Sequence, residues 1–557
     1  MRSLLVPILG MLLMMTACTR STEMPPEMLY TGGRIWTGSS ENPWVEALAI
    51  TNGVITAVGT NEALEALLGP ETQVFDLAQR FVIPGLIDNH VHFLSGGFQL
   101  AGVDLRSASS PEVFSSRIGD FVATLPPERW ITGGDWDHEA WGGTLPERGW
   151  IDAVTPQNPV FVNRLDGHMA LANTRALEQA GITRETPDPE GGTIVRDPLT
   201  GEPTGVLKDE AMNLVYAVVP APSTAEMDEA LARAMDHAVS LGVTQVHDVG
   251  SFGGWDDLQT FRRAQEAGRL KLRIYSLVSI ATWARMVDYV AEEGTGDAWL
   301  RWGGLKGFVD GSLGSTTAWF YDPYTDEPQT AGLLVTDTTA LREQILQADA
   351  AGLQVAIHAI GDHANDWLLE VFADTDAQNG PRDRRFRIEH AQHLTREALA
   401  RFARQQVIPS MQPYHAIDDG RWAEKRIGPD RILTTYAFRS LLDAGASLTF
   451  GSDWTVAPLN PLEGLYAAVT RRTLDDAHPE GWVPKEKIGV EEALRAYTAA
   501  NAYAGFQEDL LGTLEPGKQA DFVALSENLF EIDPATIKDV RVLRTVIEGQ
   551  VRYEADN

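Results

Sequence analysis

The sequence predicts an α/β protein: a (β/α)8 barrel with a small β-sandwich built from both ends of the chain and a long insertion after the first barrel strand. Three observations predict it. Strand-like and helical runs alternate through the middle of the chain until eight strands are counted. Short strands and turns dominate both ends. Residues 97–222 separate the first barrel strand from the second, far more than one crossover needs.

The chain of 557 residues begins with Arg2, an apolar run from Leu4 to Met15, and Thr16-Ala17-Cys18. The run is too short for a mature spanning helix and is followed by small residues, so it reads as a cleaved export signal. Met15-Thr16-Ala17-Cys18 resembles a bacterial lipobox, in which the cysteine is lipidated and becomes the new N-terminus. Cys18 is therefore the expected lipidation site of an exported lipoprotein facing the periplasm or cell exterior, with plain cleavage after Ala17 as the alternative. Cys18 is the only cysteine, so the rest of the chain has none for a disulfide, a thiolate metal site or a cysteine nucleophile.

Hydrophobic content of 44% and charged content of 22% are ordinary for a globular protein. The charge is not: 45 Lys+Arg stand against 78 Asp+Glu, a formal net charge of -33. That balance argues against nucleic acid or an anionic membrane surface as partner, since both need a basic face. The expected partner is a small-molecule substrate, and the only membrane link is the N-terminal lipid.

From Met28 to Val82 short strands alternate with turns, including Ala47–Ile50 and Val54–Val58 joined at Thr51-Asn52-Gly53, a hairpin signal. The complement is at the other end, where Phe522–Leu525, Val542–Ile547, a Glu548-Gly549 turn and Val551–Tyr553 follow Gly517-Lys518-Gln519-Ala520-Asp521. The barrel opens with Phe81-Val-Ile-Pro-Gly-Leu-Ile-Asp-Asn-His90-Val-His92. Seven more strands follow: Thr244–Val249, Leu272–Leu277, Leu305–Asp310, Leu353–His358, Phe386–His390, Val407–Gln412 and Ser447–Asp453. Helical runs at Met227–Leu241, Thr338–Ala351, Thr395–Gln405 and Tyr436–Ala444 precede several of them. A doubly wound open sheet is the alternative, but no Gly-rich phosphate loop follows any strand. The insertion carries strand-like pieces at Trp130–Thr132 and Pro159–Val162, a helix at Asn173–Ala180 and a Gly/Pro/Asp-rich section from Thr186 to Gly205. Its position after a barrel strand puts it on the catalytic face, as a lid or pocket wall. The implied divisions are 1–17 leader, 18–27 tether, 28–82 with 506–557 sandwich, 83–97 with 223–505 barrel, and 98–222 insertion.

His90 and His92 are two apart, so in an extended chain both imidazoles face one point, as a pair of metal ligands must. Functional groups of a barrel sit at the C-terminal ends of its strands. His358 ends the fifth strand, His390 the sixth and Asp453 the eighth, and Lys306 lies inside the fourth. Singly, each has a plain structural reading: a hydrogen-bonded core histidine, a helix cap, a lysine reaching solvent. Jointly they read as a metal centre. His138, His168, His247, His363, His393 and His415 are weaker candidates, better read as structural, as are Trp136, Trp141 and Trp319.

With these residues in place the chain resembles the metal-dependent amidohydrolase superfamily, and within it the amidohydrolase-3, YtcJ-like branch that includes N-substituted formamide deformylases. The resemblance rests on Pro84–His92, Asp166-Gly167-His168 with Asn173, Pro203–Leu207, Asp310–Ser315, His358–Asp362, Glu389-His390-Ala391, Gly451-Ser452-Asp453 and Gly512–Asp521. It implies one or two divalent ions, usually zinc, with His90, His92 and Asp453 on one and His358 and His390 on the other. Lys306 matches a carboxylated lysine that bridges them. The resemblance implies hydrolysis of a non-peptide C–N bond in an N-acyl or N-formyl amide, cyclic amide or carbamate. The metal would activate water, with Asp453 as the base that accepts its proton and then as the acid for the leaving nitrogen. The same centre suits an esterase, lactonase or phosphotriesterase, and an exported binding lipoprotein without activity is the third alternative.

Overall fold

The computed structural model describes residues 25–556 except Phe252. The expected leader, Cys18 and most of the tether lie outside the described residues. Among the described residues no helix is long and apolar enough to cross a membrane.

Eight parallel strands form the central sheet: β1 (Leu86–Val91), β2 (Val243–Asp248), β3 (Arg273–Ser279), β4 (Leu300–Phe308), β5 (Gln354–Ala359), β6 (Arg387–His390), β7 (Ile408–Met411) and β8 (Thr449–Phe450), hydrogen-bonded in that order. The barrel closes just past the strand ends, where Val91 bridges Trp454 and His90 O accepts from Asp453 N at 2.8 Å. β1, β2 and β5 are buried along their whole length, polar residues such as Asp88, His90, Gln245, His247, Asp248 and His358 included. The helix Thr224–Ser240 shows how a crossover is specified. Ser223 and Glu226 make a capping box, and Met227, Leu231, Ala234 and Ala238 recur every three or four residues to bury one face. Helix Phe93–Gln99 packs so closely on it that a Cβ at Gly97 would sit 2.0 Å from Ala230 O.

Two elements are shorter than the sequence pattern suggests. β8 stops at Phe450, and Asp453 lies beyond it at φ 60, so within Ser447–Asp453 only Thr449 and Phe450 are strand. The helix expected from Tyr436 begins at Phe438, because Tyr436 itself has φ 50, outside the helical region.

The ends of the chain build two packed sheets. One holds Val54–Gly59, Ala47–Thr51, Met28–Thr31 and Gln73–Asp76; the other runs from Gln550–Glu554 through Val542–Ile547, Phe522–Leu525, Phe81–Pro84 and Arg34–Trp36 to Trp44–Val45. Tyr30, Ile50 and Val82 from the N-terminal half meet Phe522 and Val546 from the C-terminal half in one core. Both hairpin turns have two central residues at positive φ, Asn52 (51) with Gly53 (75) and Glu548 (53) with Gly549 (72), matching the strand twist. Arg273 at the start of β3 forks onto Asp521 at 2.7 and 3.1 Å, a buried pair that ties sandwich to barrel.

The insertion has its own sheet, in the order Gly192–Arg196, Pro203–Asp209, Met169–Ala172, Val160–Arg164, Ile131–Trp136. The section Thr186–Gly205 thus contains a strand and the start of another, paired antiparallel, despite its Gly/Pro/Asp content. Leu105, Phe114, Trp136 and Val162 pack on one face of the sheet and Phe161, Leu177 and Leu207 on the other. Asp166 clips the insertion to the loop after β4, accepting from Ser312 Oγ at 3.0 Å and Ser315 Oγ at 2.9 Å.

Candidate metal centre and its cavity

The strand ends bring the expected side chains together. His90 is one residue from the end of β1 and His92 begins the helix that follows. Lys306 lies in β4, His358 in β5, and His390 ends β6. Asp453 arrives from the turn after β8. His90, His390 and Asp453 form the tight cluster, with one candidate ligand atom each and all within 4.8 Å of one another. Asp453 Oδ1 stands 3.5 Å from Nε2 of both His90 and His92. The ring of His358 is 4.5 Å from that of His390, and Lys306 Nζ is 3.3 Å from His90 Nε2.

Each imidazole is anchored through one nitrogen, and its partner assigns the tautomer. Nδ1–H of His90 donates to Glu389, that of His92 to Gly250 O at 2.7 Å, and that of His390 to Gln412 Oε1 at 2.8 Å. His358 donates from Nε2 to Gly311 O at 3.0 Å. The remaining nitrogens, Nε2 of His90, His92 and His390 and Nδ1 of His358, therefore keep a lone pair. Burial and the nearby Lys306 charge push His90 down to about 4, and burial holds His358 and His390 well below the usual imidazole range, so all three are neutral donors at ordinary pH.

Asp453 is the anionic member. Burial pushes its carboxyl up, but the hydrogen bond from His415 Nε2–H to Oδ2 at 3.2 Å and the surrounding histidines outweigh it and hold it well below the carboxylate range. Its other oxygen, Oδ1, is buried with no hydrogen-bond partner. Ligand atoms about 2.1 Å from a tetrahedral ion stand about 3.4 Å apart. The orphaned Oδ1 at 3.5 Å from two imidazole nitrogens with free lone pairs fits that spacing, so this donor set suits a divalent cation. Burial lowers Lys306 to about 8.

The model of the Amidohydrolase family matches residues 73–553. The chain belongs to that family. Two curated relatives match almost end to end. Protein LONG AFTER FAR-RED 3 of Arabidopsis thaliana is 43% identical over 539 residues, covering 95% of this chain and 91% of that one. The putative amidohydrolase YtcJ of Bacillus subtilis is 33% identical over 536 residues, covering 94% and 99%. Among solved structures, an uncharacterized metal-dependent hydrolase from Pyrococcus horikoshii superposes with a TM-score of 0.74 at 28% identity, covering 91% of this chain and 99% of that one.

In this member of the family the layer beneath the cluster is a polar network whose connections the sequence did not reveal. Arg387 and Glu389 are fully buried. Arg387 Nε donates to Glu389 Oε1 at 2.7 Å, Nη2 to Asn89 O at 2.6 Å, and Nη1 to His247 Nδ1 at 3.2 Å, while Ser410 Oγ donates to Glu389 Oε2 at 2.6 Å. Burial raises the Glu389 carboxyl, yet Arg387 and His90 overcome it and keep it ionised. Neighbours in a strand point to opposite faces, so Glu389 and His390 should not both reach the centre. They do because His390 (φ 74) and Ala391 (φ 45) turn the strand end. The motif Glu389-His390 was the available signal.

Of the weaker histidines, His415 reaches the centre through Asp453 and His168 lines the cavity above it, held through Nδ1 by Asp209 at 2.8 Å. His138 accepts from Arg164 Nε at 3.2 Å, His393 donates to Thr435 Oγ1 at 2.9 Å, and His363 is stacked between Trp319 and Tyr321. Trp136 and Trp141 pack inside the insertion. None of the three tryptophans lines the cavity. That cavity, about 1240 Å³, lies between barrel mouth and insertion and is reached by His92, Lys306, His358, His390 and Asp453. Acidic side chains outnumber basic ones in its lining.

Proposed function

We propose that this chain is a divalent-metal hydrolase, zinc-dependent with one or two ions, that cleaves a non-peptide C–N bond of a small molecule such as an N-acyl or N-formyl amide, cyclic amide or carbamate. The observation that carries it is the unpartnered Asp453 Oδ1 facing the Nε2 atoms of His90 and His92. His90, His92 and Asp453 would hold one cation, and His358 and His390 a second, with Lys306 between them. Among the described residues Lys306 has no carboxylate within ion-pair distance, and the neutral amine that burial favours is the form that takes up carbon dioxide to become an anionic ligand.

A bound cation supplies two things here: a lowered pKa for water and polarisation of the scissile carbonyl. The protein supplies the rest. Asp453 accepts the proton of the attacking water and returns it to the departing nitrogen. His415 holds Oδ2, so the carboxylate cannot rotate away. The insertion supplies one wall of the cavity, through residues such as Asp135, Arg164 and His168. The relative named N-substituted formamide deformylase, from Arthrobacter pascens and 28% identical over 550 residues, supports an amide-type bond as substrate.

The test is elemental analysis of the purified protein together with hydrolysis of a panel of formamides, cyclic amides, carbamates, esters, lactones and phosphotriesters. Bound zinc and release of amine from the nitrogen compounds is the expected result. Protein with no divalent metal, or activity confined to esters and phosphotriesters, overturns the reading. We also propose export with lipid on Cys18, supported by the leader pattern. Labelled palmitate should enter the wild-type protein and not Cys18→Ser; equal labelling would sink that idea.

A further inference from the structure

One carboxylate in the cavity wall is unlike the others. Asp135 lies near the end of the insertion strand Ile131–Trp136, lines the cavity, and is only 7% exposed. The neighbouring acids have cations: Asp137 and Asp166 flank Arg164 at 3.2 and 2.8 Å, and Asp418 pairs with Arg421. Among the described residues no ion pair reaches Asp135. Its Oδ2 accepts a hydrogen bond from the neutral amide of Gln99, through Nε2. Arg106 acts on it only through space, since that guanidinium is engaged by Val456 O at 2.7 Å and by Thr455 O.

Gln99 also fixes where this carboxylate sits. Its Oε1 accepts from Trp454 Nε1 at 2.8 Å, so Asp135 is held against the loop that carries Asp453. Tyr216 and Asn163, joined by a 3.1 Å hydrogen bond, line the same wall. A mostly buried carboxylate that faces a cavity and has no ion-pair partner among the described residues is a receptor for a cationic nitrogen. A chain of net charge -33 draws such cations toward its cavity.

We propose that the substrate carries an ammonium or amidinium group besides the bond that is cut, and that Asp135 binds it. This deepens the C–N hydrolase reading and rests on it for the reaction, not for the binding. The test uses three N-formyl compounds of one length: N-formylhexane-1,6-diamine with a free ammonium, N-formylheptylamine, and N-formyl-6-aminohexanoate. Wild-type kcat/KM should favour the ammonium compound over the neutral one by about tenfold, the scale of one charge-assisted hydrogen bond, with the carboxylate poorest. Asp135→Asn should abolish that preference while changing the neutral compound less than about threefold; Asn tolerates positive φ, and the residue sits at φ 56. Calorimetric titration of the same compounds reads binding without turnover. Equal affinity for the ammonium and neutral compounds, or a preference that survives Asp135→Asn, overturns the proposal. Binding that follows the charge rule without hydrolysis of any compound would instead count against the formamide chemistry.

Discussion

The layer beneath the cluster and the wall above it are both buried and both charged, yet they are built on opposite rules. Below, Glu389 is matched by Arg387, His90 and Ser410, and Arg387 by Asn89 O and His247. Above, Asp135 has a neutral amide partner and, among the described residues, no ion pair. A charge buried without compensation is expensive, so a fold keeps one only where something outside the chain completes it. The difference separates a frame that holds the reacting groups still from a surface that waits for a ligand.

Four substitutions break or sharpen that contrast. Asp453→Asn should reduce turnover by about 10³-fold, the range of a lost acid–base group, while metal content falls far less; a wild-type rate would sink its role. Arg387→Met strands Glu389 in the barrel and should destabilise the protein by about 3–5 kcal/mol in urea unfolding; a change below about 1 kcal/mol would mean the frame is not locked as described. Glu389→Gln removes the charge that orients His90 and should weaken metal binding about 10–100-fold by calorimetric titration, with affinity unchanged as the contrary result. Asp135→Asn should leave stability within about 1 kcal/mol of wild type, because the carboxylate has no ion-pair partner among the described residues and Asn can keep the hydrogen bond from Gln99. A large destabilisation there would erase the distinction between the two regions.

The gathering of His90, His358, His390 and Asp453 was legible because barrel geometry brings the C-terminal ends of its strands together. Its supports were not. Glu389 meets His90 across 299 residues of sequence and His415 meets Asp453 across 38, and no local pattern encodes a contact between strands. His415 reads in sequence as one more histidine after an apolar run, and Asp135 as one acid among many in a Gly-rich stretch. The hairpin inside Thr186–Gly205 escaped notice for a related reason. Its strands are stabilised by pairing with the neighbouring insertion strands rather than by their own composition.

The sequence by itself determined the fold class, the alternation of elements and the identity of the ligand-type residues, because periodicity and residue chemistry are local properties. Only the tertiary structure decided which lone pairs face the centre, which charges are balanced and which are left open. Those depend on the turn of His390 and Asp453 into positive φ and on the seating of the insertion over the barrel mouth. Both are set by packing between segments hundreds of residues apart.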